Sequence, residues 1–135
     1  VSRAVFGGLG IGLVEGVGPP EPIIRGLEAE TVREIPDPVG RAFRAFADQT
    51  GGDRKALAAC MRSARQQLTP EEVGRIAVPV LVAVGEKDEI GGSPGALARI
   101  LPKGEALAIP RRDHMTSVGD KVFKEAVQSF LERTR

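Results

Sequence analysis

The sequence predicts an α/β fold in which parallel strands alternate with helices. Residues 78–84 form a β-branched run without polar alternation, which is typical of a strand buried on both faces of a parallel sheet. The chain then continues as a helix, a second short strand at residues 106–109 and a final helix. This strand–helix–strand–helix order indicates a right-handed parallel arrangement.

The first part of the chain carries its own local signals. A short strand is expected at residues 4–6, followed by Gly7 and Gly8. Residues 19–75 are predominantly helical by pattern, with one helix near residues 23–27. Asp37 and Pro38 are a typical N-cap and first residue of a longer helix. We expect its apolar face to hold Val39, Phe43, Phe46 and Ala47.

Two further helices are predicted before the buried strand. Asp53 is the predicted N-cap of the first helix. The apolar face of this helix consists of Leu57, Cys60, Met61 and Ala64. We therefore expect Cys60 to be a small core residue, because buried free cysteines are common and inert. Thr69 and Glu72 form a capping box at the start of the second helix, which is short.

The last two helices flank the second predicted strand. Ser93 and Pro94 begin a helix with Leu97, Ile100 and Leu101 on one face. Asp120 caps the final helix. Its apolar stripe consists of Val122, Phe123, Ala126, Val127, Phe130 and Leu131.

Composition excludes several classes of function. The 135 residues suit one domain, and 19 basic against 18 acidic side chains lack the positive footprint of a nucleic-acid binder. A single cysteine and a single histidine exclude an internal disulfide and a Cys-rich or multi-histidine metal site. The longest apolar run, residues 76–84, contains Pro79 and is too short for a bilayer. We expect a small-molecule ligand, no nucleic acid and no membrane.

Candidate chemistry lies where the two predicted strands end. The loop after the first contains Glu86, Asp88 and Glu89, and the loop after the second contains Asp113 and His114. The carboxyl ends of neighbouring parallel strands meet at one edge of a sheet, where ligands bind. In a nucleophilic triad, a histidine acts as the base and a carboxylate orients its ring, so these two residue types are two of the three groups that a triad needs. We expect Asp113 to pair with a neighbouring arginine or with solvent.

These stretches resemble the α/β-hydrolase family. VPVLVAVGEKDEIGG, residues 78–92, resembles the strand and loop that carry the catalytic acid, which implies that role for Asp88. ALAIPRRDHMTSVGDKVFKEAVQSFL, residues 106–131, resembles the last strand, the catalytic-histidine loop and the closing helix, which implies that role for His114. Glu86 and Glu89 remain alternatives for the acid.

The resemblance covers only the back half of the family's fold. SRAVFGGLG, residues 2–10, is similar to the strand after the nucleophile helix. Residues 1–9 are thus expected to form a strand, residues 10–75 a helical cap region, and residues 76–135 the portion with acid and histidine. Because the family order is nucleophile, acid, histidine, the nucleophile is expected before Val1.

One segment of the chain matches the sequence motif of the family's nucleophile. Residues 91–95, GGSPG, match G-x-S-x-G letter for letter. However, the residue after a nucleophile must donate its backbone N–H to the oxyanion, and Pro94 has none. Ser93 also follows Asp88, which reverses the family order. We therefore expect Ser93 to be a helix N-cap.

The resemblance implies the carboxyl-terminal half of a serine-hydrolase-type enzyme that cleaves an ester or similar small acyl substrate without metal or organic cofactor. Alone the chain is expected to be inactive, and we expect either a second chain with the front half or self-association. A cytoplasmic location is expected. Two alternatives stay open: a non-catalytic binding or scaffold module, and a dehalogenase, peroxidase or C–C bond hydrolase of the same fold.

Overall fold

The sheet has three parallel strands in the order β1-β2-β3, in a computed structural model that describes residues 1–63 and 67–135. The strands are β1 (Ala4–Gly7), β2 (Val80–Gly85) and β3 (Gly104–Ile109). Val80 pairs with Ala4 on one side and with Gly104 on the other. The predicted parallel α/β arrangement is confirmed.

Seven α-helices and one 3₁₀ helix lie in the described residues. They are α1 (Gly12–Glu15), α2 (Glu21–Glu28), the 3₁₀ helix (Val32–Glu34), α3 (Pro38–Thr50), α4 (Arg54–Arg62), α5 (Pro70–Gly74), α6 (Pro94–Ile100) and α7 (Lys121–Arg133). Each predicted cap accepts a hydrogen bond from the first turn of its helix; these residues are Asp37, Asp53, Thr69, Ser93 and Asp120. Among the helices of residues 1–63 and 67–135, none combines the length and hydropathy that crossing a bilayer requires.

The sheet belongs to a compact unit formed by Val1–Val17 and Gln67–Arg135. Every residue of β2 is buried, as its continuous apolar pattern predicts. The core around β2 consists of Val73, Val80, Val82, Val84, Leu97 and Leu101. Because Val73 of α5 is completely buried in this core, α5 belongs with the strands, although the sequence grouped residues 10–75 as one helical region.

In a second compact unit, Gly18–Gln66, all secondary-structure elements of the described part are helices. Its core consists of Ile23, Leu27, Ala47 and Ala58, with Ile24, Phe43 and Met61 packed against it. Ala64, predicted on the face of α4, lies outside the described residues.

The predicted apolar face of α3 is partly wrong. Val39 and Phe46 are 39% and 40% exposed, whereas Arg44 is buried. The Arg44 guanidinium donates to the carbonyl of Ala29, 2.5 Å away, at the C-terminal end of α2, and pairs with Asp48 at 2.9 Å. Carbonyl groups at a helix end need donors, so this charged side chain takes the inward position that the pattern assigned to apolar residues.

The expectation that Cys60 is a core residue is also wrong, because Cys60 is exposed. Helix α4 turns Ala58 inward, and Ala58 is completely buried. Two residues further along a helix correspond to a rotation of about 200°, which turns Cys60 outward. Leu57, on the flank of the same helix, is 40% exposed.

Candidate active site

The structure brings together the two residues that the sequence singled out at the strand ends. Asp88 follows β2 and His114 follows β3, and these strands are hydrogen-bonded neighbours. The Nδ1 atom of His114 lies 2.8 Å from Oδ2 of Asp88. This separation is a normal hydrogen-bond length, so the imidazole and the carboxylate form a dyad at the carboxyl edge of the sheet.

The Asp88 carboxylate is held from two sides. Its side chain is 0% exposed, and Oδ1 accepts hydrogen bonds from the backbone amides of Ile90 and Gly91, both at 2.8 Å. These two bonds fix the plane of the carboxylate and leave Oδ2 for the imidazole. Hydrogen bonds to an ionised acceptor are stronger than neutral ones, so the buried carboxylate is both satisfied and oriented.

This contact determines the tautomer of His114. An ionised carboxylate only accepts hydrogen bonds, so the neutral imidazole carries its hydrogen on Nδ1. The other ring nitrogen, Nε2, then holds the basic lone pair. The side chain of His114 is 28% exposed, whereas its partner is fully enclosed. In the dyad, the partly accessible imidazole is thus the base, and the buried carboxylate orients it.

The loop that follows β1 completes the surroundings of the imidazole. Gly8 has a φ of +71°, and a Cβ atom placed on it would lie 3.4 Å from Cε1 of His114. A Cβ on Gly91 would overlap the carbonyl oxygen of Gly8, so the two loops touch through bare backbone. The amide of Gly10 also donates to the carbonyl of Gly91, 2.8 Å away. Loops from all three strands therefore meet at the dyad.

Sequence reasoning did not single out Gly8. The available signal was the pair Gly7-Gly8 directly after a strand, at the same sheet edge as Asp88 and His114. That signal supports a turn as readily as a site, because glycine is common wherever the backbone needs a positive φ.

The alternative acids have other roles in the structure. The carboxylate of Glu86 is exposed and accepts from the backbone amide of Arg111 at 2.8 Å. Asp113 was expected to pair with a neighbouring arginine or with solvent; it is exposed, and it accepts from the amides of Met115 and Thr116 and from the Thr116 hydroxyl, which forms a local turn. Glu89 is exposed.

Ser93 occupies the position expected of a helix cap. Its Oγ accepts from the amide of Ala96, 3.1 Å away, and Pro94 is the first residue of α6. The serine of the GGSPG segment therefore begins a helix and does not follow a strand. Across residues 1–63 and 67–135, no group of three or more His, Cys, Asp or Glu side chains is arranged to hold a metal ion.

Two aspartates stabilise the loop that carries His114, and this stabilisation is pH-dependent. Hydrogen bonding by the Thr116 hydroxyl and amide lowers the pKa of Asp113 below its ordinary value. The Arg112 guanidinium, 2.5 Å from Asp120, lowers the pKa of Asp120. A lowered pKa in the folded chain means that the stabilisation is present above the ordinary aspartate pKa and is lost as the pH falls through the lowered value.

We therefore expect residues 113–122 to loosen in acid, below the ordinary aspartate pKa of about 3.9. Amide hydrogen exchange at Met115, Thr116 and Val122 measures this directly, because their amides donate to the two carboxylates. Exchange at these amides should accelerate before exchange in β2 does. The replacement Asp113→Asn should remove the pH dependence at Met115 and Thr116, and Asp120→Asn should remove it at Val122. Equal acid sensitivity of these amides in the variants and in the parent chain would contradict the prediction.

Sequence comparison finds no relative: no protein-family model matches the chain, and no curated protein matches it. Comparison of structures does find similar proteins. A bromoperoxidase from Bacillus anthracis matches 97% of this chain with a TM-score of 0.66 and 17% identity. A hydrolase from Pseudomonas aeruginosa PA01 matches 97% with a TM-score of 0.59 and 24% identity. A thermophilic esterase from Thermogutta terrifontis matches 98% with a TM-score of 0.58 and 18% identity.

These matches involve only part of each solved protein. The chain spans 58% of the bromoperoxidase, 65% of the hydrolase and 66% of the esterase. At these levels of identity the similarity concerns the fold. The chain therefore has the α/β-hydrolase fold and contains a part of it, with the parallel strands that carry Asp88 and His114.

Proposed function

We propose that this chain supplies the general base and the orienting carboxylate of an α/β-hydrolase active centre that cleaves esters or similar small acyl compounds. One observation carries the proposal: the 2.8 Å contact between Nδ1 of His114 and Oδ2 of Asp88 at the carboxyl edge of the sheet. This arrangement leaves Nε2 as the basic nitrogen, which is the requirement for activating a hydroxyl nucleophile.

The mechanism follows from that arrangement. Nε2 of His114 removes the proton of a serine hydroxyl as its oxygen bonds to the ester carbonyl carbon. The imidazolium then passes the proton to the departing alkoxide, which leaves as the alcohol, and an acyl-enzyme remains. Water, deprotonated by the same nitrogen, releases the acid and restores the serine. The Asp88 carboxylate keeps the ring orientation and stabilises the imidazolium during both halves.

The nucleophile of this centre comes from a segment outside the 135 residues. Ser93 is unsuitable because it caps α6 and precedes Pro94. The fraction of each similar structure that lies outside the match, more than a third of the bromoperoxidase and the hydrolase, supports a missing portion of the fold. The proposed partner is a second chain that carries this front half, and the substrate is a small molecule.

Features near β1 support such a partner. Within the described residues, β1 pairs with β2 alone, so its other edge has unpaired backbone groups in a class of sheet that is normally covered. Beside it, a surface cavity of about 550 Å³ is lined by the apolar side chains of Phe123, Val127 and Leu131 of α7 and by polar or charged ones, namely Arg3, Lys124, Gln128, Glu132 and Arg135. Val122, on the same helix, is 42% exposed. An added strand and helix would cover these groups.

The helical region of residues 10–75 is proposed as the cap that selects the substrate. Its exposed apolar side chains Val39 and Phe46 support this role, because pockets for small molecules are mostly lined by apolar groups.

The test is completion of the fold. The part of the Thermogutta terrifontis esterase that lies outside its match is fused ahead of Val1, in the family order of nucleophile, acid and histidine. We expect release of p-nitrophenol from p-nitrophenyl acetate by the fusion, and none above background from either portion alone. A fusion that folds without turnover would favour the scaffold module. His114-dependent turnover by the 135-residue chain alone would contradict an external nucleophile.

Size-exclusion chromatography of the chain alone addresses the partner. A monomer that forms a 1:1 complex with the front portion supports a second chain as the partner. A stable homo-oligomer that does not exchange with the front portion would instead indicate that self-association covers β1.

A second candidate function is peroxidase chemistry, which the similarity to the Bacillus anthracis bromoperoxidase favours. The discriminating assay gives the same fusion hydrogen peroxide, bromide and an organic acceptor. Bromination of the acceptor that depends on His114 and exceeds ester turnover would favour this candidate.

A further inference from the structure

The loop that carries His114 leaves β3 through an unfavourable backbone conformation. Arg111 has a φ of +60°, and it is the one non-glycine residue with positive φ among residues 1–63 and 67–135. This left-handed conformation crowds the Cβ atom of an L-residue, so it persists only where surrounding contacts impose it. Arg111 lies three residues before His114, so its conformation sets the path of the histidine loop.

The backbone at Arg111 and Arg112 is hydrogen-bonded to the loop that carries Asp88. Oε2 of Glu86 accepts the backbone amide hydrogen of Arg111 at 2.8 Å. The amide of Lys87 donates to the carbonyl of Arg112, also at 2.8 Å. Two consecutive residues of the acid loop thus hold two consecutive residues of the histidine loop, immediately beside the dyad.

We propose that Glu86 is the positioning residue of the dyad: its carboxylate holds Arg111 in the left-handed turn that brings His114 to Asp88. Glu86 acts through the backbone of the histidine loop and does not touch the imidazole in this role. An exposed glutamate two residues before the acid therefore sets the register between the two loops. The consequence for catalysis depends on the proposed function, whereas the positional effect is measurable in the chain alone.

The chain is well suited to this measurement because His114 is its single histidine. Long-range ¹H–¹⁵N NMR spectra distinguish the Nδ1–H and Nε2–H tautomers, and one imidazole gives an unambiguous signal. The comparison concerns the neutral ring, which carries its one hydrogen on either Nδ1 or Nε2. In the parent chain we expect the Nδ1–H tautomer, because Asp88 accepts from that nitrogen.

Four variants separate the effect from general damage. Glu86→Ala removes the acceptor and should populate the Nε2–H tautomer, with loss of the single-tautomer spectrum. Glu86→Gln keeps an oxygen acceptor and should retain the parent spectrum. In Glu86→Ala with Arg111→Gly, glycine adopts the positive φ without strain and should restore the Nδ1–H tautomer. The matched control is Glu89→Ala, an exposed glutamate of the same loop, which should leave the spectrum unchanged.

A parent-like tautomer in Glu86→Ala would overturn the proposal. So would loss of the native amide dispersion in that variant, because the proposed role is local. Equal loss of the Nδ1–H tautomer in Glu86→Gln and Glu86→Ala would also overturn it, because the charge of Glu86, and not its hydrogen bond to Arg111, would then set the tautomer. These outcomes are independent of ester turnover, so a failure of the proposed function in the fusion leaves this result intact, and the reverse also holds.

Discussion

Replacing His114 by alanine in the completed fusion will lower kcat for p-nitrophenyl acetate by about 10⁶-fold. The imidazole is the sole proton acceptor that the mechanism assigns, and without it the serine attacks as a weak, protonated nucleophile. Steady-state kinetics measures the loss. Because the ring is partly exposed and Asp88 keeps its bonds to the amides of Ile90 and Gly91, the variant should fold.

The control for this prediction is Ser93→Ala. Loss of the cap should cost about 1 kcal/mol of folding stability, while kcat should stay within a few-fold of the parent value. A loss of turnover in Ser93→Ala as large as that in His114→Ala would identify the GGSPG segment as the nucleophile site. Turnover retained in His114→Ala would remove the histidine from the mechanism.

Replacing Asp88 by asparagine will lower kcat by about 10⁴-fold, equivalent to about 5 kcal/mol of transition-state stabilisation. The asparagine oxygen still accepts from the amides of Ile90 and Gly91, which preserves the loop. Its amide group then faces Nδ1 of His114 as a donor, so the imidazole adopts the Nε2–H tautomer and its basic nitrogen turns away from the nucleophile. The kinetic loss and the tautomer change should occur together in the same variant.

Glu89→Gln is the matched control, because it removes a carboxylate one residue away in the same exposed loop. Its turnover should remain close to that of the parent fusion. If Glu89→Gln lost more activity than Asp88→Asn, the acid would be Glu89 and the observed pairing with His114 would be irrelevant to catalysis.

The dyad could be anticipated because its determinants are local in sequence. A β-branched run marked β2, a shorter apolar run marked β3, and parallel neighbours deliver their following loops to one edge. Asp88 and His114 come soon after these two strands, so their proximity follows from topology. The cap function of Ser93 was also predictable, since serine followed by proline is a local signal.

Other features depend on contacts between distant segments. The hydrogen bond between the Arg111 amide and the Glu86 carboxylate joins residues 25 positions apart, and no periodicity or spacing in the sequence predicts it. The approach of Gly8 to His114 depends on how the β1 loop lies over the other two loops. The faces that α3 and α4 bury also depend on such contacts. In α3 the buried Arg44 bonds to the carbonyl of Ala29, whereas Phe46 is exposed, and in α4 the buried residue is Ala58, whereas Cys60 is exposed.

The sequence by itself indicated the three strands, the five helix N-caps and the two residues of the dyad, because apolar periodicity and capping act over a few neighbouring residues. Only the tertiary structure decided the tautomer of His114, the restraint on its loop and the faces that α3 and α4 bury. Those properties arise when chain segments far apart in sequence compete for the same hydrogen-bond donors and acceptors, and a linear pattern does not record that competition.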